Sequence, residues 1–246
     1  MAKTIGIIPA RYGSSRFPGK VLCDLLGKPM IWHTYHSANK WKQFDELYVA
    51  TEDEIVKKVC NSYYIPCLMT SDKHIDCLDR AYEAMEIIGS EINDICVIIQ
   101  GDEPLFDYTI LNELEQDSNI YIRNFYTEAK EDIDDPNAVK VIVSKYGNAM
   151  YFSRYSVPFR EERTRRNKEC EVKVYKQLGI YAIRYHALID YNKLGMSYLE
   201  SLEGIGLLRY LENDRLIKMV YTDKDSISVD TPKDRDRIIK IMENRK

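Results

Sequence analysis

Short apolar runs alternate with amphipathic stretches through the first hundred residues, and this alternation constrains the fold more than any other feature of the chain. "TIGIIPA" (4–10), "ELYVAT" (46–51) and "ICVII" (95–99) have the length and apolar content of buried strands. Helical patterns lie between them in "PMIWHTYHSANKW" (29–41) and "CLDRAYEAMEIIG" (77–89). Such alternation predicts βαβ units, and therefore an α/β protein with a mainly parallel sheet whose sites lie at the carboxyl ends of strands.

The pattern changes after about residue 120, but no linker or repeat marks a domain boundary. "AVKVIVSKYGNAMYFSR" (138–154) predicts two strands around a Tyr-Gly-Asn turn, and "VYKQLGIYAIRY" (174–185) predicts another strand. "SYLESLEGIGLLRYLEND" (197–214) predicts a helix that its two glycines weaken. The chain ends in a strand, a turn and an amphipathic helix. We therefore predict a single domain over residues 1–246.

Composition excludes several classes of function. The 246 residues carry a net charge of -4 with a pI of about 5.7, which argues against a protein whose main role is to bind nucleic acid. The charged stretch "REERTRRNK" (160–168) predicts a solvated loop. No run of about 18 apolar residues predicts a membrane span. The start "MAKTIGIIPA" lacks the features of a signal peptide, so we expect a cytoplasmic protein.

The cysteines do not form a metal-binding pattern. They include no C-x-x-C pair and lie mostly in apolar context, so we predict reduced thiols in or near the core. They are Cys23, Cys60, Cys67, Cys77, Cys96 and Cys170.

The first predicted loop, within "GIIPARYGSSRFPGKVL" (6–22), has three cations within ten residues beside small residues. Arginine and lysine in such a loop suit a phosphate group. A P-loop is not present, because that motif needs a glycine at Ser14 and a hydroxyl residue at Val21. The loop alone leaves two interpretations open, a phosphate site or an exposed basic turn. The candidate ligands are Arg11, Ser14, Arg16 and Lys20.

Acidic residues follow two other predicted strands. Asp102 and Glu103 come directly after "ICVII", and Asp230 follows Ile227 and Val229. A carboxylate at the end of a buried strand needs water, a cation or a metal as a partner. Mg²⁺ takes one or two carboxylates together with substrate phosphates. Each acid also suits the start of a helix, because a proline follows closely.

A basic loop and two strand-end acids together are the parts that nucleotidyl transfer needs. Cations and a metal neutralise the triphosphate and the leaving pyrophosphate, and the metal holds the acceptor oxygen in line with the α-phosphorus. Direct displacement of this kind does not require a nucleophilic serine or cysteine. The combination therefore favours a nucleotidyltransferase with a Mg²⁺ cofactor.

The ordered motifs I-I-P-A-R-Y-x-S-x-R-x-P-G-K, Q-G-D-E-P, D-P-N-A-V-K, Y-F-S-R, L-G-I-Y and V-D-T-P-x-D resemble those of the 3-deoxy-manno-octulosonate (Kdo) cytidylyltransferases, which make CMP-Kdo for lipopolysaccharide biosynthesis. The match extends over nearly the whole chain. The resemblance implies a Rossmann-like mixed sheet of the nucleotide-diphospho-sugar transferase type with a small dimerisation subregion. It also implies a homodimer that uses CTP, Mg²⁺ and a 2-keto-3-deoxy sugar acid to form a CMP-sugar and pyrophosphate.

The same resemblance assigns roles to individual positions. Arg11, Ser14 and Lys20 would hold the triphosphate, and Asp102 and Asp230 would take the metal. Lys20 would be catalytic together with the two acids. Asp135, Asn137 and Lys140 would be structural residues that border the site. The remaining candidates for substrate binding are Arg16, Arg80, Gln100, Gln177, Tyr181, Glu200 and Glu203.

The chain departs from the family pattern on the acceptor side. The family motif H-x-S-G-T-[DE]-R keeps its outer residues here, but Asp76, Cys77 and Leu78 replace its small centre. In this respect the loop resembles the spore-coat-polysaccharide type of cytidylyltransferase. A family histidine before L-G-I-Y is Gln177, and an acid and an amide are replaced by Gly206 and Leu207. We therefore expect poor use of Kdo and a preference for a modified 2-keto-3-deoxy acid.

Other functions remain open at this point. The acceptor could be a nonulosonic acid or a phosphonate instead of an octulosonic acid. The chain could also be a non-catalytic nucleotide-binding homologue, although Asp102 and Asp230 are both present. Nucleic-acid binding through residues 160–168 is disfavoured, because glutamates interrupt that stretch and no aromatic residues do.

Overall fold

The computed structural model describes residues 2–14, 16–114, 120–161 and 172–244. The first half of the chain alternates strands with helices, as predicted. In chain order its elements are β1 (Thr4–Pro9), β2 (Asp24–Leu25), β3 (Lys28–Pro29), α1 (Met30–Ala38), β4 (Glu46–Thr51), α2 (Glu54–Ser62), β5 (Cys67–Met69), α3 (Cys77–Ile88) and β6 (Ile95–Ile99).

The second half adds further strands and four helices within the described residues. They are β7 (Ile122–Glu128), β8 (Lys140–Val143), β9 (Ala149–Ser153), β10 (Tyr175–Arg184), α4 (Tyr185–Leu194), α5 (Tyr198–Glu203), α6 (Leu207–Glu212), β11 (Lys218–Tyr221) and α7 (Pro232–Glu243). Short 3₁₀ turns span Lys20–Leu22 and Tyr108–Glu113.

One mixed sheet of nine strands runs through both halves of the chain. Its main path has the order β11-β7-β10-β6-β1-β4-β5, and β8 and β9 extend it beside one end of β10. β1 pairs in parallel with β4 and β6, and β11 pairs in parallel with β7. β10 is antiparallel to β6, β7 and β8. The predicted α/β fold with a mixed, mainly parallel sheet is confirmed.

The central strands are buried on both faces, because helices cover the sheet on each side. In β6, Cys96 and Ile98 belong to one apolar cluster and Val97 and Ile99 to the other. This separation follows from the twofold alternation of side chains along a strand. Strands of this kind read as continuous apolar runs, which is why they were visible in the sequence.

The helices begin and end where local chemistry requires. The Asp53 side chain accepts hydrogen bonds from two backbone N–H groups in the first turn of α2, and Asp76 does the same for α3. α3 ends at Gly89, which has a φ of 76°, the left-handed conformation that favours glycine. The predicted helix over residues 197–214 is two helices, α5 and α6, and the break includes Gly204 in the same left-handed region.

Other elements were not predicted from the pattern. They are the β2–β3 hairpin, β7 and α4. The part of "REERTRRNK" from residue 162 onward lies outside the described residues, as does Cys170. The other cysteines are free thiols, which confirms the prediction for them. Among the described residues, no helix is both long enough and apolar enough to span a membrane.

Candidate functional site

The predicted loop and the two predicted acids converge on one ammonium group. Lys20 Nζ lies 2.5 Å from Asp102 Oδ2 and 3.0 Å from Asp230 Oδ1. All three side chains are mostly buried, with exposed fractions of 12%, 22% and 18%. Asp102 follows β6, as predicted, but the predicted strand before Asp230 is wrong, because Ile227 and Val229 lie in an irregular segment after β11. The backbone N–H of Val229 donates to the Asp102 carbonyl at 2.9 Å, and this contact holds Asp230 at the carboxyl end of β6. The convergence that the sequence could only suggest is therefore present in the fold.

Arg16 extends this cluster toward a neighbouring loop. Its Nη2 lies 2.8 Å from Asp230 Oδ1, and its Nη1 donates to the side-chain oxygen of Asn137. The backbone N–H of Asn137 donates in turn to Asp135 Oδ1 at 2.8 Å. Lys140 is fully buried and donates to the backbone carbonyl of Asp135 at 2.6 Å. These contacts agree with the prediction that Asp135, Asn137 and Lys140 shape the border of the site.

The Asp230 carboxylate is available because its neighbour caps the following helix. The Thr231 hydroxyl accepts from the backbone N–H of Asp234, and the Asp234 carboxylate accepts from the backbone N–H of Thr231 at 2.7 Å. This reciprocal arrangement is a capping box, with Pro232 in the first helical turn. The alternative role that the sequence allowed for Asp230, helix capping, therefore belongs to Thr231.

The geometry of the first loop depends on Gly19. Gly19 has a φ of 68° and directly precedes the 3₁₀ turn that begins at Lys20. A Cβ atom at Gly19 would lie 2.9 Å from the Tyr12 ring, so this position favours glycine on both backbone and steric grounds. The Ser14 hydroxyl is partly exposed and accepts a hydrogen bond from the backbone N–H of Phe17.

Arg11 and Arg80 form a second cationic region near this loop. Arg80 is buried, with Nη1 at 2.8 Å from Glu52 Oε2 and 2.6 Å from the Thr70 hydroxyl. Burial lowers the pKa of Arg80, Glu52 opposes that shift and the charge of Arg11 reinforces it. Arg11 itself is exposed. Arg11 is therefore placed to meet a ligand from solvent, whereas Arg80 is already held by protein groups.

Charge compensation dominates the electrostatics of the cluster. Burial alone would lower the pKa of the Lys20 ammonium, but Asp102 and Asp230 outweigh this effect and raise that pKa above its usual value. Burial raises the pKa of the neighbouring Glu103 carboxyl to about 7, against the opposing effect of the hydrogen bond from the Ser226 hydroxyl. Lys20 is thus a permanent cation between two carboxylates.

Two carboxylates converge here, but no preformed cage of protein ligands surrounds them. Among the described residues, no group of three or more His, Cys, Asp or Glu side chains is arranged to hold a metal. Both Asp102 and Asp230 contact the same ammonium nitrogen, so their oxygens are close enough for one cation to meet both. A hard cation such as Mg²⁺ with few protein ligands, completed by phosphates and water, fits this donor set.

Gln100 and Tyr181 lie together beside the acids. Tyr181 is buried on β10 and pairs with Ile98 of β6. Burial raises the pKa of the Tyr181 hydroxyl well above its usual value, and the nearby Gln100 side chain acts against that shift. The Gln177 side-chain oxygen is buried without a hydrogen-bond partner among the described residues. The register of β10 against β7 shifts between Gln177 and Tyr181.

Two predicted substrate ligands are instead held by internal contacts. The Glu200 carboxylate is buried and accepts from Arg209 Nε and Nη2 at 2.8 and 2.7 Å. The Glu203 carboxylate accepts from the Ser153 hydroxyl and from the backbone N–H of Arg154, both at 2.9 Å. The structure therefore uses these glutamates to join α5 to α6 and to β9, and it does not bring them to the Lys20 cluster.

The residues that depart from the family pattern pack against one another. The Asp76 carboxylate caps α3 through one oxygen and accepts from the Tyr191 hydroxyl through the other. A Cβ atom at Gly206 would lie 2.2 Å from Asp76 Oδ2 and 2.6 Å from the Tyr191 hydroxyl. Asp76 therefore requires a glycine at position 206. The two departures from the family pattern are therefore in direct contact, which the sequence pattern alone did not reveal.

His74 and Asp79, two of the residues that the loop retains from the family motif, also have internal partners. The His74 ring contacts the Glu83 carboxylate, and Asp79 Oδ1 lies 3.3 Å from Arg209 Nη1. Cys77, which replaces a small residue of the family pattern, has a thiol pKa raised by burial, and the nearby Gln100 side chain acts against that shift. The start of α3 thus lies next to the Gln100 side chain.

Comparisons with known proteins agree with this arrangement. A family model described as "Cytidylyltransferase" matches residues 5–218. Two curated 3-deoxy-manno-octulosonate cytidylyltransferases cover nearly the whole chain. One from Christiangramia forsetii is 40% identical over 98% of this chain and 97% of its own length. One from Nitratidesulfovibrio vulgaris (strain DP4) is 38% identical over 96% of this chain and 95% of its own length.

A relative with a different named acceptor is nearly as similar. The 8-amino-3,8-dideoxy-manno-octulosonate cytidylyltransferase of Shewanella frigidimarina is 37% identical over 93% of this chain and 94% of its own length. Among solved structures, a CMP:2-keto-3-deoxy-manno-octonic acid synthetase complexed with CTP aligns with a TM-score of 0.88 at 32% identity, over the full length of both chains. The chain therefore belongs to the cytidylyltransferase family, and within it to the group of the CMP-Kdo synthetases.

Proposed function

We propose that this protein transfers the cytidylyl group of CTP to a 2-keto-3-deoxy sugar acid, which yields a CMP-sugar and pyrophosphate. The observation that carries the proposal is the convergence of Lys20, Arg16, Asp102 and Asp230 at the carboxyl edge of the sheet. The similarity to cytidylyltransferases that act on octulosonic acids supports the choice of nucleotide and acceptor.

The cations of the first loop would bind the triphosphate by exchanging partners. Arg16 contacts Asp230 and Lys20 contacts Asp102, and both cations can turn from carboxylate oxygens to phosphate oxygens. Exposed Arg11 would add a third positive charge, and buried Arg80 would support it from behind. Binding of CTP therefore frees the two acids at the moment when a metal is needed.

Asp102 and Asp230 would hold Mg²⁺, because the two carboxylates converge and hard cations prefer oxygen ligands. When bound, the metal would neutralise charge on the phosphates and orient the acceptor oxygen. The Lys20 ammonium would contact the phosphates and stabilise the charge that develops on the pyrophosphate. The acceptor hydroxyl oxygen would form the new bond to the α-phosphorus and release its proton to water, as the bond between the α-phosphorus and pyrophosphate breaks.

Gln100 and Tyr181 are the best-placed candidates for contacts to the acceptor acid. They lie near each other, beside Asp102 and next to the start of α3. Gln177 lies on the same strand as Tyr181 and has a buried oxygen without a hydrogen-bond partner in the described part of the chain. An acceptor that supplies a donor to this oxygen would satisfy it, because unpaired buried polar atoms are costly.

The acceptor itself is a narrower proposal. Several of the similar relatives are named for Kdo, which supports Kdo as one candidate, and a modified acid is the other candidate. The modified acid is favoured by the changes at Asp76, Gly206 and Gln177, and by the similarity to the amino-dideoxy enzyme of Shewanella frigidimarina. A nonulosonic acid, a phosphonate and a non-catalytic role are less well supported, since both acids of the site are in place.

We also propose that the chain acts as a single domain, as a homodimer, in the cytoplasm. The single domain is supported by the sheet, which includes strands from both halves of the chain. The homodimer and the location rest on the resemblance to the family and on the composition. Light scattering of the purified protein would test the dimer, because a monomeric mass would contradict it.

A pyrophosphate-release screen tests the proposed function. CTP, UTP, ATP and GTP would each be combined with Kdo, with 8-amino-3,8-dideoxy-manno-octulosonate and with a nonulosonic acid in the presence of Mg²⁺. We expect release with CTP and at least one octulosonic acid. Release with none of the acids, or equally from all four nucleotides, would contradict the proposal.

A further inference from the structure

Glu103 is a buried carboxylate that the proposed chemistry does not use, although it lies next to Asp102. Its side chain is 5% exposed, and its Oε2 accepts a hydrogen bond of 2.6 Å from the Ser226 hydroxyl. Its Oε1 packs closely against Gly179, where an added Cβ atom would lie 2.5 Å from that oxygen. Burial of a carboxylate is costly unless specific partners compensate for it, so its presence calls for an explanation.

The partners of Glu103 belong to segments that carry the candidate site residues. Gly179 lies in β10 between Gln177 and Tyr181, at the point where the register shifts. Ser226 lies in the loop between β11 and Asp230. Backbone hydrogen bonds join the same segments. Val229 donates to the Asp102 carbonyl at 2.9 Å, and Gln100 donates to the Gly179 carbonyl at 3.2 Å.

The contact between Glu103 and β10 has no spare room. A Cβ atom at Gly179 would lie 2.5 Å from Glu103 Oε1 and 2.5 Å from Gln100 Cγ. The backbone of Gly179 is not in the left-handed region, so only the steric contact requires a glycine there. A larger residue would move Glu103 and Gln100 together.

We propose that Glu103 is a positioning residue that sets the spacing between the two metal-binding carboxylates and the acceptor-binding face of β10. Oε1 of Glu103 contacts Gly179, in the part of β10 that carries Gln177 and Tyr181. Oε2 accepts a hydrogen bond from Ser226, in the segment that leads to Asp230. This role rests on the proposed function, because it concerns the same site. It differs from that function in assigning no contact between Glu103 and any substrate.

These contacts indicate that Glu103 fixes the relative position of the segments around it. An apolar residue of similar size would fill the space without the cost of a buried carboxylate, but it could not join two segments through separate oxygens. A displacement of about 1 Å at reacting groups can cost roughly a hundredfold in rate, so a rigid connection at this point affects turnover directly.

Four variants separate this role from a general contribution to folding. Glu103→Gln keeps an oxygen for Gly179 and can donate to the Ser226 oxygen, so we expect kcat within about threefold of the wild type. We expect Glu103→Ala and Gly179→Ala to lower kcat about tenfold to a hundredfold, with a smaller change in the KM for CTP. Asp94→Asn is the matched control, because Asp94 is a buried acid remote from this site that accepts two backbone hydrogen bonds.

A second readout does not depend on turnover. Binding of Mn²⁺ to the ligand-free protein, followed by electron paramagnetic resonance, reports the spacing of Asp102 and Asp230. We expect Glu103→Ala and Gly179→Ala to weaken Mn²⁺ binding about tenfold. Asp94→Asn should lower the melting temperature and leave Mn²⁺ binding unchanged. If wild-type protein binds Mn²⁺ but shows no transfer, the proposed function fails and the positioning role is still tested by the binding data.

Two outcomes would overturn the positioning role. One is a kcat and an Mn²⁺ affinity within twofold of the wild type in both Glu103→Ala and Gly179→Ala. The other is a loss in Glu103→Gln as large as in Glu103→Ala, which would show that the negative charge matters and not the connection that it makes.

Discussion

Replacement of Lys20 by methionine tests the site in two ways, because the lysine should oppose metal binding and support turnover. In the ligand-free protein its ammonium lies between Asp102 and Asp230, where a divalent cation would also bind. In the complex with CTP we expect the same ammonium to contact phosphate. Lys20→Met removes the charge and keeps most of the apolar length of the side chain. The variant should therefore bind metal more tightly and turn over more slowly.

The structure sets the size of both effects. A hydrogen bond between charged groups contributes about 1.5–3 kcal/mol, and the three side chains here are all less than a quarter exposed, so solvent screening is limited. Loss of one such contact to phosphate should lower kcat/KM for CTP about ten- to a hundredfold. Removal of the competing ammonium should raise the Mn²⁺ affinity of the ligand-free protein by about tenfold.

Two assays measure these effects separately. Pyrophosphate release at varied CTP concentration gives kcat/KM, and electron paramagnetic resonance gives Mn²⁺ binding without nucleotide. Lys3→Met is the control, because Lys3 forms an exposed ion pair with Glu46 at 2.9 Å, away from the site, and should change neither value. If Lys20→Met binds Mn²⁺ more weakly than the wild type, or uses CTP equally well, our account of the cluster is wrong.

Three further predictions follow from the same geometry. Asp102→Asn and Asp230→Asn should each lower turnover at least about a hundredfold, and full activity of either variant, or of the wild type in EDTA, would remove the metal assignment. Gln177→His should shift kcat/KM toward Kdo and leave CTP binding intact; a preference of the wild type for Kdo of tenfold or more would refute this view of the pocket. Gly206→Ala should cost about 1–3 kcal/mol because its Cβ meets Asp76, and thermal unfolding should show a Tm lower by several degrees, whereas Gly13→Ala, with no atom within 4 Å, should not.

The sequence predicted best those strands whose apolar pattern does not depend on which elements pack beside them. β1, β4 and β6 are buried on both faces, so their apolar runs were visible without knowledge of the fold. The contacts of Lys20 with Asp102 and Asp230 could not be predicted from a local pattern in the same way. Lys20 and Asp230 are 210 positions apart in the chain, and only the order of strands in the sheet brings them together.

The acceptor side shows where sequence reasoning reached its limit. Glu200 and Glu203 lie on a helix that the resemblance places near the sugar, but their carboxylates bond to Arg209 and to the backbone of Arg154. Such pairing is decided by packing between helices, which residue types do not reveal. The link between Asp76 and Gly206 is of the same kind, since only the distance between their atoms shows that one requires the other.

Transfer of the α-phosphate is the most direct test of the central claim, that this site joins the cytidylyl group of CTP to a sugar acid. CTP radiolabelled at the α-phosphate would be incubated with Mg²⁺ and each octulosonic acid, and the products would be separated by ion exchange. Our account predicts label in a CMP-sugar that forms only when acid and Mg²⁺ are both present, and almost none with Asp230→Asn. Label that stays in CTP with every acid, or that moves equally well in Asp230→Asn, would contradict it.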